Sequence, residues 1–269
     1  MLHFEAREAS ARTVAKMNDF FAQMSRTSAR ALLLDYDGTL APFCVDPECA
    51  APYPGVPALL ERIRDRGRTR LVVISGRRAS DALRLLGLKR IEVWGSHGLE
   101  RLRADGTYEM PALDDRVLQS ISEAYEQLSD AGLSARAECK PGGVAVHWRG
   151  LGPLSTGVRQ KVLNVWSGLR HRKGICLMRF DGGMEIRVDC RNKGDAVRAV
   201  LSEMDKNASV AYLGDDETDE DGFAALHGYG LSVLVQRTRR PTVADVTIRP
   251  PDGLIAFLED WVSASGGVL

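Results

Sequence analysis

Residues 31–39 read ALLLDYDGT, a short apolar run that ends abruptly in two aspartates and a glycine. Apolar runs of this length, bounded by turn residues, are typical of strands buried on both faces, as in a parallel sheet. Asp35 and Asp37 are two positions apart, so an extended backbone points both carboxylates the same way. Two close carboxylates are stable mainly when a cation lies between them or one is protonated. A plain polar turn after a buried strand would also give this pattern.

The same arrangement recurs along the chain, because further apolar runs also end at polar or glycine residues. Helical patterns lie between these runs, and residues 11–28 predict an additional helix before the first strand. Alternating strands and helices predict an α/β fold with a parallel sheet covered on both faces, and such sheets bind ligands beyond the carboxyl ends of their strands. The further predicted strands are 71–74, 91–94, 210–213 and 231–235, and the predicted helices are 56–66, 77–86 and 193–204.

The middle of the chain has a different pattern. Strand-like segments there are joined by the glycine-rich turns 141–143 and 181–183, which indicates antiparallel hairpins. We therefore predict a discontinuous core, residues 1–105 and 190–269, with an inserted α+β cap domain at 106–189. The predicted cap strands are 135–140, 144–149, 175–180 and 184–188, and the predicted cap helices are 113–131 and 153–169.

An acidic cluster, LGDDETDED at 213–221, follows another predicted buried strand. Thr218 could cap a helix whose first turn carries acidic residues, which the helix dipole favours. That interpretation leaves Asp215 and Asp216 unexplained, since both precede the cap at a strand end. Carboxylate ligands from two strand ends suit Mg²⁺, which also takes water and substrate phosphate as ligands.

Two further positions are candidates for binding an anion. Ser75 follows the second predicted strand and precedes a helix, where a hydroxyl and free N–H groups could bind a phosphate-sized anion or simply cap the helix. Lys193 begins the predicted helix 193–204, where the helix dipole disfavours a cation. Lysines at helix starts are usually solvated, but this electrostatic mismatch favours a functional placement.

Composition excludes several classes of function. The 269 residues contain 36 Lys+Arg and 36 Asp+Glu, so the chain lacks the net positive charge that gathers nucleic acid or anionic membrane. No run approaches the length of a membrane span, and no signal peptide is recognisable. The 5 cysteines contain no CxxC pair, which is typical of a reducing compartment. We expect a soluble cytoplasmic protein that binds neither nucleic acid nor membrane.

In chain order, these clusters resemble the four motifs of the haloacid dehalogenase superfamily of phosphotransferases. The resemblance implies a Rossmann-like parallel-sheet core with an inserted α+β cap domain of the type called C2B. It implies that Asp35 is the nucleophile and that Asp37 is the general acid and base. Ser75, Lys193 and Arg77 would bind the transferring phosphoryl oxygens. The implied Mg²⁺ site consists of Asp35, the backbone carbonyl of Asp37, and Asp215, with Asp216 or Asp219 ligating directly or through water.

A finer resemblance is to the trehalose-6-phosphate phosphatase family, carried by residues 34–42, 75–77, 97–100 and 214–221. The segments 138–140, 147–149 and 185–187 in the predicted cap agree with it, whereas Ser96 stands where the family usually has Asn. Spacing alone favours cross-strand ion pairs on a solvated face for these cap residues. The resemblance instead implies sugar-binding roles, for Glu138, Lys140, Arg149 and Glu185, with His97 also near the substrate.

The leading hypothesis is an Mg²⁺-dependent phosphatase that hydrolyses trehalose 6-phosphate through a phosphoaspartyl intermediate. Two alternatives stay open. One is a phosphatase for another phosphosugar, such as glucosyl or mannosyl glycerate phosphate or sucrose phosphate. The other is a non-catalytic regulator that binds a sugar phosphate. The expected partner is a small phosphosugar, and any coupling to a synthase would involve a separate protein.

Overall fold

The computed structural model describes residues 2–180, 182–238 and 240–266, with side chains from Ala11 onward. Helices and strands alternate through most of this part of the chain. The helices are α1 (Leu2–Met24), α2 (Val56–Asp65), α3 (Ala79–Leu86), α4 (Asp115–Asp130), α5 (Ser155–Val165), α6 (Lys193–Ser202), α7 (Glu220–Leu226) and α8 (Asp252–Ser265). The strands are β1 (Arg30–Leu34), β2 (Thr69–Ile74), β3 (Glu92–Gly95), β4 (Glu100–Leu102), β5 (Tyr108–Glu109), β6 (Ala137–Lys140), β7 (Gly143–His147), β8 (Ile175–Phe180), β9 (Gly183–Val188), β10 (Ser209–Gly214), β11 (Leu231–Val235) and β12 (Val246–Ile248).

The larger of the two sheets has the strand order β12-β11-β10-β1-β2-β3-β4-β5. Its strands from β12 to β3 are all parallel, which confirms the predicted α/β sheet. The strands β4 and β5 add an antiparallel edge that the sequence did not predict. The chain reverses between β3 and β4 at Ser96 and His97, whose φ angles of 47° and 58° lie in the left-handed region.

Both faces of the larger sheet are buried, as the apolar run at 31–34 predicts. Leu32 and Leu34 point into a layer with α1, α2, α3 and α8. Ala31 and Leu33 point into the opposite layer, which contains α6 and α7. Alternating side chains of one strand thus fill two apolar layers, which explains the uninterrupted hydrophobic run. The packing on both faces fixes the carboxyl end of β1, where the two aspartates begin.

The smaller sheet, here called the cap sheet, is antiparallel and has the strand order β6-β7-β9-β8. One of its faces packs on α4 and α5 through apolar side chains that include Val144, Ile186 and the fully buried Trp166. The predicted antiparallel hairpins are therefore present. The strand β5 falls within the range 106–189 yet pairs with β4 in the larger sheet. The proposed division of the chain into domains stays a prediction.

The other face of the cap sheet is polar, and the strand register aligns its side chains in rows. Glu138, Ala145 and Glu185 lie opposite one another on β6, β7 and β9. Lys140 and Gly143 form the next row along the same face, because residues two apart share a face. Small residues on the central strand β7 leave a trough between the charged side chains of its neighbours. This trough faces the carboxyl edge of the larger sheet.

Several element boundaries differ from the prediction. The helix predicted at 11–28 is α1, which begins at Leu2 and ends at Met24. The helix α3 begins at Ala79, two residues later than predicted. Strand β12 and helix α8 were not predicted. None of the helices in the described ranges combines the length and the apolarity that a membrane span requires.

Candidate active site

Three adjacent parallel strands bring the predicted catalytic residues to one edge of the larger sheet. Asp35 follows β1, Ser75 follows β2 and Asp215 follows β10. The strands β10, β1 and β2 are neighbours, so their carboxyl ends meet. The amide N–H of Asp35 continues the pairing by donating to the carbonyl of Leu213 at 2.8 Å. The order of the strands in the sheet therefore brings together residues that are far apart in the sequence.

Lys193 lies between two carboxylates at this edge. Its Nζ is 2.8 Å from Asp35 Oδ1 and 2.7 Å from Asp219 Oδ1, and all three side chains are buried. Asn192 caps α6 and forms a reciprocal capping box with Asp195, which fixes the first turn that carries Lys193. Burial alone would lower the pKa of Lys193, but the charges of Asp219 and Asp35 raise it overall. The lysine is therefore a fixed positive charge beside the predicted nucleophile.

Asp35, Asp215 and Asp219 form a cluster whose ligand atoms lie within 4.8 Å of one another. Burial, followed by the charge of Asp219, raises the pKa of Asp35 to about 7. Burial and the charges of Asp35 and Asp219 raise the pKa of Asp215 well above its usual value. In both groups burial is the largest cause and neighbouring carboxylates add to it, and the opposing charge of Lys193 does not cancel them.

Asp215 fits the cation that the sequence implies. Its Oδ1 is buried and has no hydrogen-bond partner among the described residues. Gly38 lies directly against it, because a Cβ at this glycine would come within 2.0 Å of Asp215 Oδ2. An unpartnered carboxylate oxygen in an acidic, oxygen-only cluster suits Mg²⁺. The residues present therefore fit the ion.

Asp219 is already saturated by hydrogen-bond donors. Its Oδ1 accepts from Lys193 and from the hydroxyl of Tyr212. Its Oδ2 accepts from the backbone N–H groups of Asp215 and Asp216, at 3.1 and 3.0 Å. A carboxylate has about four lone-pair sites, and all are used here. This geometry favours a role for Asp219 in positioning its neighbours over direct contact with a metal.

Asp216, rather than Thr218, is the cap of the acidic segment. Its side chain accepts from the N–H of Glu217 and forms a reciprocal capping box with Asp219. A short 3₁₀ turn (Glu217–Asp219) precedes α7, so the helix begins at Glu220. The alternative interpretation with Thr218 as the cap is wrong because the acidic side chains of Asp216 and Asp219 satisfy the free backbone N–H groups.

Asp37 is paired with Arg77. The guanidinium donates from Nε to Asp37 Oδ2 and from Nη2 to Asp37 Oδ1, both at 2.7 Å, and from Nη1 to the carbonyl of Pro47 at 2.8 Å. The backbone N–H of Arg77 also donates to Ser75 Oγ at 3.2 Å. One arginine therefore connects the second aspartate, the predicted hydroxyl and the loop that follows the first motif.

The polar face of the cap sheet reaches this edge through Lys140. Its Nζ is 2.6 Å from Glu185 Oε2 and donates to the carbonyl of Gly76, in the turn between β2 and α3, at 3.0 Å. His97 Nε2 lies 3.4 Å from the same Glu185 oxygen. Burial would raise the pKa of Glu185, but Lys140 and His97 lower it overall. Burial lowers the pKa of His97.

Glu138 and Arg149 lie on either side of this group. Glu138 is paired with His147 at 2.8 Å. Burial would raise the pKa of Glu138, but the hydrogen bond with His147 and the charges of Lys140 and His147 together lower it overall. Arg149 Nη1 donates to the carbonyl of Cys44 at 3.0 Å, and its guanidinium lies 4.9 Å from the ring centroid of Phe43. The charges of the cap face are thus partnered, partly with one another and partly with the larger domain.

One cavity lies between the two sheets and is lined by most of the predicted site residues. Its lining does not include Ser75 or Asp219. Ser96 is also outside the lining, and its hydroxyl donates to Glu100 at 2.9 Å. Sequence reasoning missed Phe43, Pro47 and Phe180. The first two lie in the loop directly after the first motif, and that proximity was a usable signal. The predicted residues in the lining are Asp35, Asp37, Arg77, His97, Glu138, Lys140, Arg149, Glu185, Lys193, Asp215 and Asp216.

The family model described as trehalose-phosphatase matches residues 33–247, which covers most of the chain and both sides of the cavity. The chain belongs to the trehalose-phosphatase family. This result confirms the resemblance that the sequence motifs indicated.

Individual relatives agree with the family. A trehalose-phosphate phosphatase of Mycobacterium ulcerans (strain Agy99) is 30% identical over 238 residues, which cover 84% of this chain and 60% of that protein. The chain therefore spans about 60% of the length of this curated relative. The C-terminal domain of the trehalose-6-phosphate phosphatase of Candida albicans superposes with a TM-score of 0.76 at 20% identity, covering 94% of this chain and 97% of that one.

The haloacid dehalogenase-like fold is also confirmed. A haloacid dehalogenase-like hydrolase from Bacteroides thetaiotaomicron superposes with a TM-score of 0.61 at 17% identity and covers 86% of this chain and 98% of that one. At this identity the likeness concerns the fold alone. It agrees with the parallel sheet and the inserted cap sheet described above.

Proposed function

We propose that the chain hydrolyses trehalose 6-phosphate to trehalose and inorganic phosphate in an Mg²⁺-dependent reaction through a phosphoaspartyl intermediate. One observation carries the proposal. A single cavity is lined on one side by the acidic edge with Asp35 and Lys193, and on the other by the charged row of the cap sheet. The acidic edge supplies the groups that phosphoryl transfer requires, and the charged row of the cap sheet supplies the groups that select a polar sugar.

In the first step, a carboxylate oxygen of Asp35 attacks the phosphorus of the substrate. The bond between phosphorus and the sugar oxygen breaks, and the phosphoryl group is transferred to Asp35. Asp37 donates a proton to the departing sugar oxygen, which would otherwise leave as an alkoxide. In the second step, Asp37 takes a proton from a water molecule that attacks the aspartyl phosphate. Inorganic phosphate leaves, and the Asp35 carboxylate is restored.

Arg77 orients Asp37 before the substrate arrives. Its two hydrogen bonds to that carboxylate, both 2.7 Å long, keep the Asp37 side chain directed toward the cavity. A phosphate dianion also binds guanidinium groups well, so the incoming substrate competes for Arg77. This competition releases an oxygen of Asp37 for proton transfer to the sugar oxygen.

Lys193 and Ser75 stabilise the transferring phosphoryl group. The Lys193 ammonium is fixed beside Asp35, so its charge is in place before the phosphoryl oxygens approach. The Ser75 hydroxyl accepts from the N–H of Arg77, which leaves its own hydrogen to donate to a phosphoryl oxygen.

The proposed Mg²⁺ ligands are Asp35, the backbone carbonyl of Asp37, and Asp215, with Asp216 close to them in the cavity lining. When bound, the ion supplies positive charge that lets a carboxylate approach a phosphate dianion. Asp219 holds Lys193 and the backbone of Asp215 and Asp216 in place, and so acts on the site without ligating the metal.

The cap face binds the two sugar rings. Glu138, Glu185 and the backbone carbonyls beside them accept hydrogen bonds from sugar hydroxyls, whereas Lys140 and Arg149 donate to sugar oxygens. His97 contacts Glu185 and lines the same cavity. We also infer that residues 106–189 form a cap domain that confers substrate specificity and that the protein acts in the cytoplasm.

The test is phosphate release from trehalose 6-phosphate with and without Mg²⁺, beside sucrose 6-phosphate, glucosyl-3-phosphoglycerate and glucose 6-phosphate. Asp35→Asn serves as the blank. The proposal predicts Mg²⁺-dependent release that is fastest with trehalose 6-phosphate. Faster release from another phosphosugar would overturn the substrate assignment and keep the chemistry. No Mg²⁺-dependent release from any of them by the folded protein would overturn the proposal.

A further inference from the structure

Phe43 is a large apolar residue whose side chain is exposed at the cavity. It lies immediately beyond the first motif, it is 42% exposed, and it lines the cavity that contains Asp35 and Asp37. Most other side chains in the lining are charged or polar, and the apolar exceptions include Pro47 and Phe180. The sequence motifs assign no role to this ring.

The loop that carries Phe43 is held firmly by the larger domain. Gly38 N–H donates to the carbonyl of Ala41 at 2.7 Å just before it, and the Tyr36 hydroxyl donates to the carbonyl of Ala50 at 2.7 Å at its far end. Between these points, the Arg77 guanidinium that pairs with Asp37 also donates to the carbonyl of Pro47. The loop around Phe43 is thus anchored by residues next to Asp35 and Asp37 and by the arginine that pairs with Asp37.

The ring contacts the cap through Arg149. The guanidinium carbon of Arg149 is 4.9 Å from the ring centroid, which is within the range of a cation–π interaction. The same guanidinium donates to the carbonyl of Cys44, the next residue along the loop. The Arg149 guanidinium therefore packs against the Phe43 ring. Stacking on a ring restricts the orientation of a guanidinium plane.

A second aromatic wall lies on the cap side of the cavity. Phe180 at the end of β8 packs against His147 with ring centroids 5.4 Å apart, and both residues line the cavity. The cavity therefore has aromatic surfaces from both the larger domain and the cap sheet. Ligand sites combine apolar walls that supply contact area with a few polar groups that fix orientation. A pyranose ring, with C–H faces and hydroxyl edges, has matching chemistry.

We propose that Phe43 is a specificity-determining residue of the sugar site. Its ring packs against a pyranose face of the substrate and keeps Arg149 oriented toward the sugar hydroxyls. This inference rests on the proposed function, because it names a contact within the same substrate site. It adds an aromatic contact from the larger domain to the polar contacts of the cap, so both domains take part in sugar selection.

The experiment measures kcat and KM for two substrates in a series of Phe43 variants. Trehalose 6-phosphate carries sugar rings, whereas acetyl phosphate is a small phosphoryl donor with no ring. Phe43→Ala should raise KM for trehalose 6-phosphate about 10-fold, with kcat changed less than about 3-fold and acetyl phosphate hydrolysis unchanged. Phe43→Tyr, which keeps the ring, should restore the wild-type KM. Phe43→Leu, which keeps apolar contact without a π face, should fall between them.

Tyr229→Ala is the matched control, since this aromatic residue is 70% exposed and lies outside the cavity lining. It should leave all four constants unchanged. The inference is overturned if Phe43→Ala lowers activity on both substrates equally, or if it leaves KM for trehalose 6-phosphate unchanged. Wild-type protein that is inactive on trehalose 6-phosphate would instead overturn the proposed function, and this inference with it.

Discussion

Two charged surfaces face each other across the cavity, and they hold their charges differently. At the acidic edge, Asp35 and Asp215 have raised pKa values, and an oxygen of Asp215 has no hydrogen-bond partner among the described residues. On the cap face, Lys140 and Glu185 are paired at 2.6 Å, and the pKa of Glu185 is lowered. One surface has an excess of negative charge, and the other is close to electrically balanced.

This difference separates the two tasks of the site. An excess of buried negative charge destabilises the protein until a cation binds, so it is the feature expected where a metal and a phosphate meet. Charges that are already paired bind a neutral sugar through directional hydrogen bonds without attracting a second ion. The core edge is thus suited to reaction and the cap face to recognition.

The largest expected effect is at the nucleophile. Asp35→Asn should lower kcat for trehalose 6-phosphate about 10³-fold or more, because an amide oxygen cannot form the phosphoryl intermediate. Steady-state phosphate release measures this effect, and circular dichroism checks that the variant is folded. Loss of activity on acetyl phosphate to the same degree is also expected. Residual activity within about 10-fold of wild type would contradict the assignment of Asp35 as nucleophile.

Asp215→Asn should separate activity from stability. Its kcat/KM should fall about 10²-fold, because a proposed metal ligand is lost. Without Mg²⁺, however, the variant should be more stable than wild type near neutral pH. The raised pKa means that folded wild-type protein retains a proton that the unfolded chain has released above about pH 4. The free energy of unfolding of the wild type therefore falls as pH rises from about 4, and the variant escapes this loss.

Chemical denaturation between about pH 5 and pH 8, with and without Mg²⁺, tests this prediction. The advantage of Asp215→Asn should increase with pH in the metal-free protein. Saturating Mg²⁺ should reverse the order, since it stabilises only the form that binds it. A variant that is less stable than wild type across this range without Mg²⁺ would show that Asp215 is not in an uncompensated cluster.

The cap pair should respond in the opposite way to removal of a charge. Lys140→Met leaves the Glu185 carboxylate, whose side chain is 3% exposed, without its cation, and this should lower the free energy of unfolding by about 3 kcal/mol. Its kcat/KM for trehalose 6-phosphate should also fall about 10-fold or more. The double variant Lys140→Met/Glu185→Gln should regain most of the stability and none of the activity. Unchanged stability in the single variant would contradict a tightly paired cap face.

The smallest effect is expected at the edge opposite the site. Glu203 at the end of α6 accepts hydrogen bonds from Arg101 and Arg70, and these contacts lower its pKa to about 2. Glu203→Gln should lower the free energy of unfolding by about 1 kcal/mol or less, since the side chain is partly exposed. The stabilisation is present above pH 4.5 and is lost as pH falls through about 2. We expect kcat/KM for trehalose 6-phosphate to stay at the wild-type value. A fall in kcat/KM would contradict confinement of the chemistry to the other edge of the sheet.

The placement of the predicted catalytic residues at strand ends was predictable because it depends on local patterns. The side chains of residues 31–34 are buried on both faces of the sheet, and the uninterrupted apolar sequence of this run is a direct sign of that burial. Lys193 was identified by its position at the start of a helix, and the preceding Asn192, a residue typical of helix caps, marks that start in the sequence. The two-residue spacing likewise places Glu138 and Lys140 on one face of β6, whereas the alignment of Glu138 with Glu185 appears only in the strand register.

Features that depend on distant contacts were not predictable. The pairing of Asp37 with Arg77 joins residues 40 positions apart, and nothing in the local sequence selects that partner. The donors to Asp219 come from α6, from β10 and from the turn directly after β10, so all four of its hydrogen bonds form only when these parts of the chain are assembled. The two-residue strand β5 is too short to show a period. Phe43 resembles any exposed loop residue until the cap places Arg149 over its ring.

The most direct test of this division is the ratio of kcat/KM for trehalose 6-phosphate to kcat/KM for acetyl phosphate. It should be measured for wild type, for Asp215→Asn at the core edge and for Glu138→Gln on the cap face. Asp215→Asn should lower both constants together and leave the ratio within about 2-fold of wild type, whereas Glu138→Gln should lower the ratio about 10-fold. A ratio that changes with Asp215→Asn, or that stays constant in Glu138→Gln, would contradict the separation of reaction from recognition.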